Sequence, residues 1–105
     1  MDKKDVIIQV ITTYKNKEGA ALAYQADVDY LRKHKYGKRI EIKKMGDASI
    51  MLEKKQTDGI TYNLLFYMDN VFVAVSAKYK FENEKNIDHI INLAEKIQHK
   101  IDPSG

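Results

Sequence analysis

Apolar and polar positions alternate with a period that changes along the chain, and each change marks an element. Val6 to Tyr14 (VIIQVITTY) is β-branched and aromatic throughout and predicts a first strand. Asn16 then offers a helix N-cap, with Glu18 in the first turn facing the positive end of the helix dipole. From Lys17 to about His34 the period becomes helical, with Ala20, Tyr24, Val28 and Leu31 on one stripe and Gly37 as the expected stop. Arg39 to Lys44 (RIEIKK) alternates again and reads as a Lys-rich edge strand. Ala48 to about Lys55, Ile60 to Met68 and Val71 to Lys80 predict three further strands, the last two joined by the two-residue turn Asp69-Asn70. Ile87, Ile90, Ile91, Ala94, Ile97 and Ile101 form the strongest helical stripe, capped by Asn83 or Asn86. The tail from Asp102 to Gly105 is expected to fray.

The register of the last hairpin follows from its loop length. Met68, Phe66, Leu64 and Tyr62 fall opposite Val71, Val73, Val75 and Ala77, which defines a core face. For the preceding strand a two-residue loop Asp58-Gly59 would turn Met51 and Glu53 to that face. A three-residue loop, Thr57 to Gly59, turns Ile50 and Leu52 there instead. Burial of Glu is costly, so the pattern predicts the longer loop, with Ile50 beside Phe66. The order is then β-α-β-β-β-β-α: an α+β fold whose five-stranded antiparallel sheet has spatial order 2-3-4-5-1 and is packed by two helices. With one face so apolar, both helices are expected on the Phe66 side. Leu65, Tyr67, Phe72 and Ala74 would then form an apolar group on the other face, a candidate patch for a protein partner or a homodimer.

That string of elements resembles the TATA-binding-protein-like, or helix-grip, class of folds. The resemblance spans nearly the whole chain and implies topology, not function. The segments Glu18-Gly19-Ala20, Gly46-Asp47-Ala48, Asn70-Val71-Phe72-Val73-Ala74-Val75 and Leu93-Ala94-Glu95-Lys96-Ile97 are also similar to small extracytoplasmic lipoprotein or sensor-type domains of microbes. Tyr67-Met68-Asp69 stands where those domains carry Arg-x-Gly. This likeness implies a non-catalytic surface or sensory module and no particular site.

Composition narrows the chemistry. A chain of 105 residues with 44% apolar and 31% charged residues fits one domain, with an ordered core expected over about 6–101. Absence of Cys removes thiolate catalysis, disulfides and Cys-type zinc sites. No stretch approaches the roughly 20 apolar residues of a membrane span, and the opening residues do not read as a signal peptide. Net charge is +3, unevenly spread. Arg32, Lys33, Lys35, Lys38, Arg39, Lys43 and Lys44 against Glu41 make residues 32–44 worth +6, leaving −3 elsewhere. Such a window can attract nucleic acid or another anionic surface, and is the alternative functional reading.

Catalytic constellations are not apparent. The glycines form no phosphate loop, and the serines have no histidine nearby in sequence. His89 and His99 lie about 15 Å apart along one helix and cannot share an ion, so no metal and no cofactor are expected. Asp27 and Asp29 point to different sides of their helix. Asp47, after Gly46, reads first as a turn former. The sequence therefore points to a non-catalytic binding or interaction domain. A small cavity-containing enzyme is the third reading.

Overall fold

The computed structural model describes residues 6–102, so residues 103–105 of the expected frayed tail lie outside the described part. The elements are β1 (Val6–Thr13), α1 (Lys17–Lys33), β2 (Lys38–Ile40), β3 (Ala48–Gln56), β4 (Gly59–Met68), β5 (Val71–Tyr79) and α2 (Glu84–Ile101). The fold is α+β. Its single antiparallel sheet runs β1-β5-β4-β3-β2, the expected order. Strand β2 is shorter than its sequence pattern: it starts one residue earlier, at Lys38, and keeps only Arg39 and Ile40 of the expected Arg39 to Lys44.

Asn16 caps α1 by accepting the Gly19 N–H at 2.9 Å, and Asn83 caps α2 by accepting the Lys85 N–H at 2.9 Å. Helix α1 ends before Gly37. Lys35 adopts the left-handed conformation (φ 70°) and donates to the Arg32 carbonyl, while Tyr36 donates to that of Leu31. This is a Schellman closure with lysine where glycine is usual.

The register of β3 differs from the expectation. The loop is two residues, Thr57-Asp58, pairing Gln56 with Gly59, Met51 with Leu64 and Glu53 with Tyr62. Ile50 pairs with Leu65 rather than Phe66. Asp58 holds the Lys78 ammonium at 2.8 Å, and Gly59 (φ 152°) passes so near the Tyr79 carbonyl oxygen that a Cβ would strike it. The expectation of a longer loop assumed one buried face. In the molecule both faces are covered, so either parity buries apolar residues and the tight turn decides.

That double cover is the second correction. The helices lie on opposite faces. Helix α2 packs on Met51, Tyr62, Leu64, Phe66, Val73 and Val75. Helix α1 packs, through Ala20 and Val28, on Ile50, Leu52, Leu65 and Phe72. The reason lies in connectivity. By alternation along the sheet, β1 and β2 run parallel at opposite edges, so α1 must cross the sheet to join them. It crosses one face, and α2 takes the other. The result is three layers, helix–sheet–helix.

Candidate interaction edge

Both helices rest on β4 and β5. A helix is about 10–12 Å across and strands lie about 4.8 Å apart, so one helix shields roughly two of the five strands. At one overhanging edge Ile40 of β2 still packs against the α2 core. At the other edge, β1 is bare on both faces.

Strand β1 accounts for five of the eight large apolar side chains left exposed among the described residues. Val6, Ile8, Val10 and Ile11 are each about half exposed (54%, 55%, 47% and 53%), and Ile7 is 37% exposed. Pairing with β5 assigns their sides. Val6, Ile8 and Val10, opposite Lys78, Ser76 and Ala74, lie on the α1 face; Ile7 and Ile11, opposite Ala77 and Val73, lie on the α2 face. The strand carries no charge from residue 6 to 13, and no Pro. Soluble proteins ordinarily guard an edge with such residues, and a long apolar edge is a template for pairing.

The backbone of that edge can be oriented. The Tyr14 N–H donates to the Asn70 carbonyl at 2.7 Å, continuing the β1–β5 ladder by one pair. In antiparallel pairing, hydrogen-bonded and non-bonded pairs alternate. Val6, Ile8, Val10 and Thr12 therefore bond inward to β5. The N–H and C=O groups of Ile7, Gln9, Ile11 and Thr13 point outward, along the free edge.

The patch expected on β4 and β5 is a core. Leu65 (2% exposed) and Phe72 (5%) are buried beneath α1, and Ala74 is partly buried against the same cluster. Tyr67 is also partly buried, its ring 5.4 Å from that of Tyr24. The group Leu65, Tyr67, Phe72 and Ala74 is thus not free for a partner, because α1 occupies that face of the sheet.

The basic window is exposed but divided. Arg32 and Lys33 end α1, and Lys35 forms its closing turn. Arg39, opposite Leu52, lies on the α1 side of β2, whereas Lys38, opposite Glu53, lies on the α2 side. Lys43 and Lys44 line a cleft of about 300 Å³ with Ile91, Glu95 and His99 of α2. The seven cations thus straddle the β2 edge, where Lys35 and Lys38 share a cleft of about 440 Å³ with Lys54 and Lys55.

Asp47 is a structural tie. Its Oδ2 accepts the Asp69 N–H at 2.8 Å and its Oδ1 the Lys17 ammonium at 3.3 Å. The Asp69 N–H is the largest influence and holds this carboxyl below the usual range; burial, second in size, opposes it, and the hydrogen bond and charge of Lys17 then add to the lowering. Gly46 (φ 57°) sets it there, since a Cβ would strike the Tyr67 carbonyl oxygen to which Asp47 N–H donates. His34 caps α1 with its ring 4.1 Å from that of Tyr30, while His89 and His99 lie on α2. Among the described residues no group of three acidic or histidine side chains is placed to hold a metal ion, and no helix is long and apolar enough to cross a membrane.

One polar residue escaped the sequence reading. The β3 register buries Glu53 (5% exposed) beside Tyr62, in a cleft of about 470 Å³ also lined by Lys38, Arg39, Glu82 and Ile87. Glu53 Oε2 makes no hydrogen bond, and the Lys38 ammonium lies 3.8 Å away. Burial, then the charges of Glu53 and Glu82, raises the Tyr62 phenol above its ordinary value, keeping it neutral. Lys38 faces Glu53 across the β2–β3 ladder, which brings its ammonium beside this carboxylate. No family model, curated protein or solved structure matches the chain.

Proposed function

We propose that this is a non-catalytic interaction domain whose docking element is the outer edge of β1, used by strand addition. The observation that supports the reading is the combination on one strand of outward backbone donors and acceptors with five exposed branched side chains. An added strand meets both at once. Its backbone completes the ladder, and its side chains cover apolar surface on either face of the sheet. Fully burying a Val or Ile stabilises by about 1.5–3 kcal/mol, so covering several half-exposed ones is a substantial drive for association. Behind that edge the two helices pack on opposite faces of the sheet, and an edge already formed before docking lowers the ordering cost.

The test is to add an eight-residue peptide of alternating Thr and Val to ¹⁵N-labelled protein and map the amide shifts. Perturbations should concentrate on β1 and the facing β5 residues. Perturbations centred instead on the Glu53 cleft or on residues 32–44 would reject β1 as the docking element.

A further inference from the structure

The first seven residues of β1 are nearly the same read in either direction about Gln9. One step out stand Ile8 and Val10, two steps out Ile7 and Ile11, three steps out Val6 and Thr12. Every mirrored pair is β-branched, and the inner two are wholly aliphatic. A two-fold interface requires such self-complementarity, because each residue must suit its counterpart on the other copy. Resting on the reading of β1 as a docking edge, we infer that its partner is a second copy of this chain, paired antiparallel with Gln9 on the two-fold axis.

The backbone parity agrees with that register. Antiparallel partners that exchange hydrogen bonds must both present outward groups, and Gln9, Ile7 and Ile11 do. Gln9 meets Gln9 of the other copy, and Ile7 meets Ile11 in both directions, giving about six N–H···O bonds. On the α1 face Ile8 meets Val10 twice in the closer, non-bonded pairs, a cluster of four branched side chains. Shifting the pairing by one outward position in either direction sets Gln9 against an isoleucine, Ile11 or Ile7, matching polar with apolar. The centred register is therefore preferred.

Neither helix obstructs the approach, since both rest on β4 and β5. Residues 6–13 carry no charge to oppose it. Assembly also stops at two. The remaining edge, β2, has only three residues, and two of them are the exposed Lys38 and Arg39, a guarded edge. The five exposed side chains of β1 offer on the order of 400 Å² per copy, about half of the ~800 Å² that each partner gives to a standard interface. The dimer is consequently a weak, concentration-dependent one.

Sedimentation equilibrium over roughly 1 µM to 1 mM protein should show monomer converting to dimer, with no larger species. Gln9→Pro removes an N–H that is unbonded in the monomer but used twice across the axis. It should leave the dilute protein folded by circular dichroism and weaken dimerisation at least about tenfold. Ile8→Lys, which places a charge opposite Val10, gives the same expected result by an independent route. Amide exchange at Ile7, Gln9 and Ile11 should slow as concentration rises. Wild-type protein monomeric at about 1 mM overturns self-pairing. If the alternating Thr-Val peptide still maps to β1 in that case, the docking reading survives, and a foreign strand is the occupant. Dimerisation unchanged by both Gln9→Pro and Ile8→Lys also overturns it, by placing the interface elsewhere.

Discussion

Lys35 holds a left-handed backbone (φ 70°) at the end of α1, where a Cβ is penalised and glycine is not. Lys35→Gly should therefore raise stability by about 0.5–1 kcal/mol, seen as an increase in the midpoint of urea unfolding at unchanged slope. A decrease would mean that the lysine side chain contributes more than its backbone strain costs. Asp47 makes the opposite case, a side chain whose loss releases the tip of the β4–β5 turn. Asp47→Ala should cost about 0.5–1.5 kcal/mol, the worth of a hydrogen bond to a folded backbone donor. Because the folded carboxyl titrates below its ordinary value, its contribution is present above roughly pH 4 and is lost as pH falls through the lower folded value. Wild type and Asp47→Ala should thus converge in stability on acidification, and curves that stay parallel would refute the assignment.

The elements differ in how plainly their sequences announce them. Helix α2 could be read from its isoleucine spacing, and its burial follows: Ile90, Ala94 and Ile97 are buried, while Lys96 is exposed. Ile97→Ala should cost about 2–5 kcal/mol and Lys96→Ala under about 0.5 kcal/mol; comparable small losses in thermal melts would show an undocked helix. Strand order was equally legible, because hairpin turns and alternation fix neighbours. Which face each helix covers was not. Leu65 and Phe72 alternate with Leu64 and Val73 as on any strand buried on both sides, and amphipathicity gives a helix a face without saying which side of the sheet receives it. The same ambiguity hid Glu53, whose burial depends on a loop shorter by one residue. The bareness of β1 was hidden differently. Its apolar residues occupy both parities, a pattern shared by strands in the middle of a three-layer sheet, and only the width of the helices against that of the sheet leaves it uncovered.

For the molecule as a whole, the place of β1 has a consequence for the order in which the chain folds. Strands β3, β4 and β5 are joined by two-residue turns, so their ladders close short loops. Strand β1 pairs Ile11 with Val73, across 62 residues, and among the described residues β5 is its one neighbour in the sheet. Closing a loop of that size costs entropy before any contact compensates, so the meander with its helices forms first and β1 arrives last. Folding kinetics measured in dilute protein should show it. Val10→Ala should give a φ-value of about 0–0.3, and Leu64→Ala about 0.5–0.8; equal values at the two sites would contradict this order. Until β1 arrives, the last strand of the meander has its own open side, lined by the partners of residues 6–13. A chain caught at that stage can accept the first strand of a neighbour as readily as its own, and the late strand is then a point at which two molecules exchange parts.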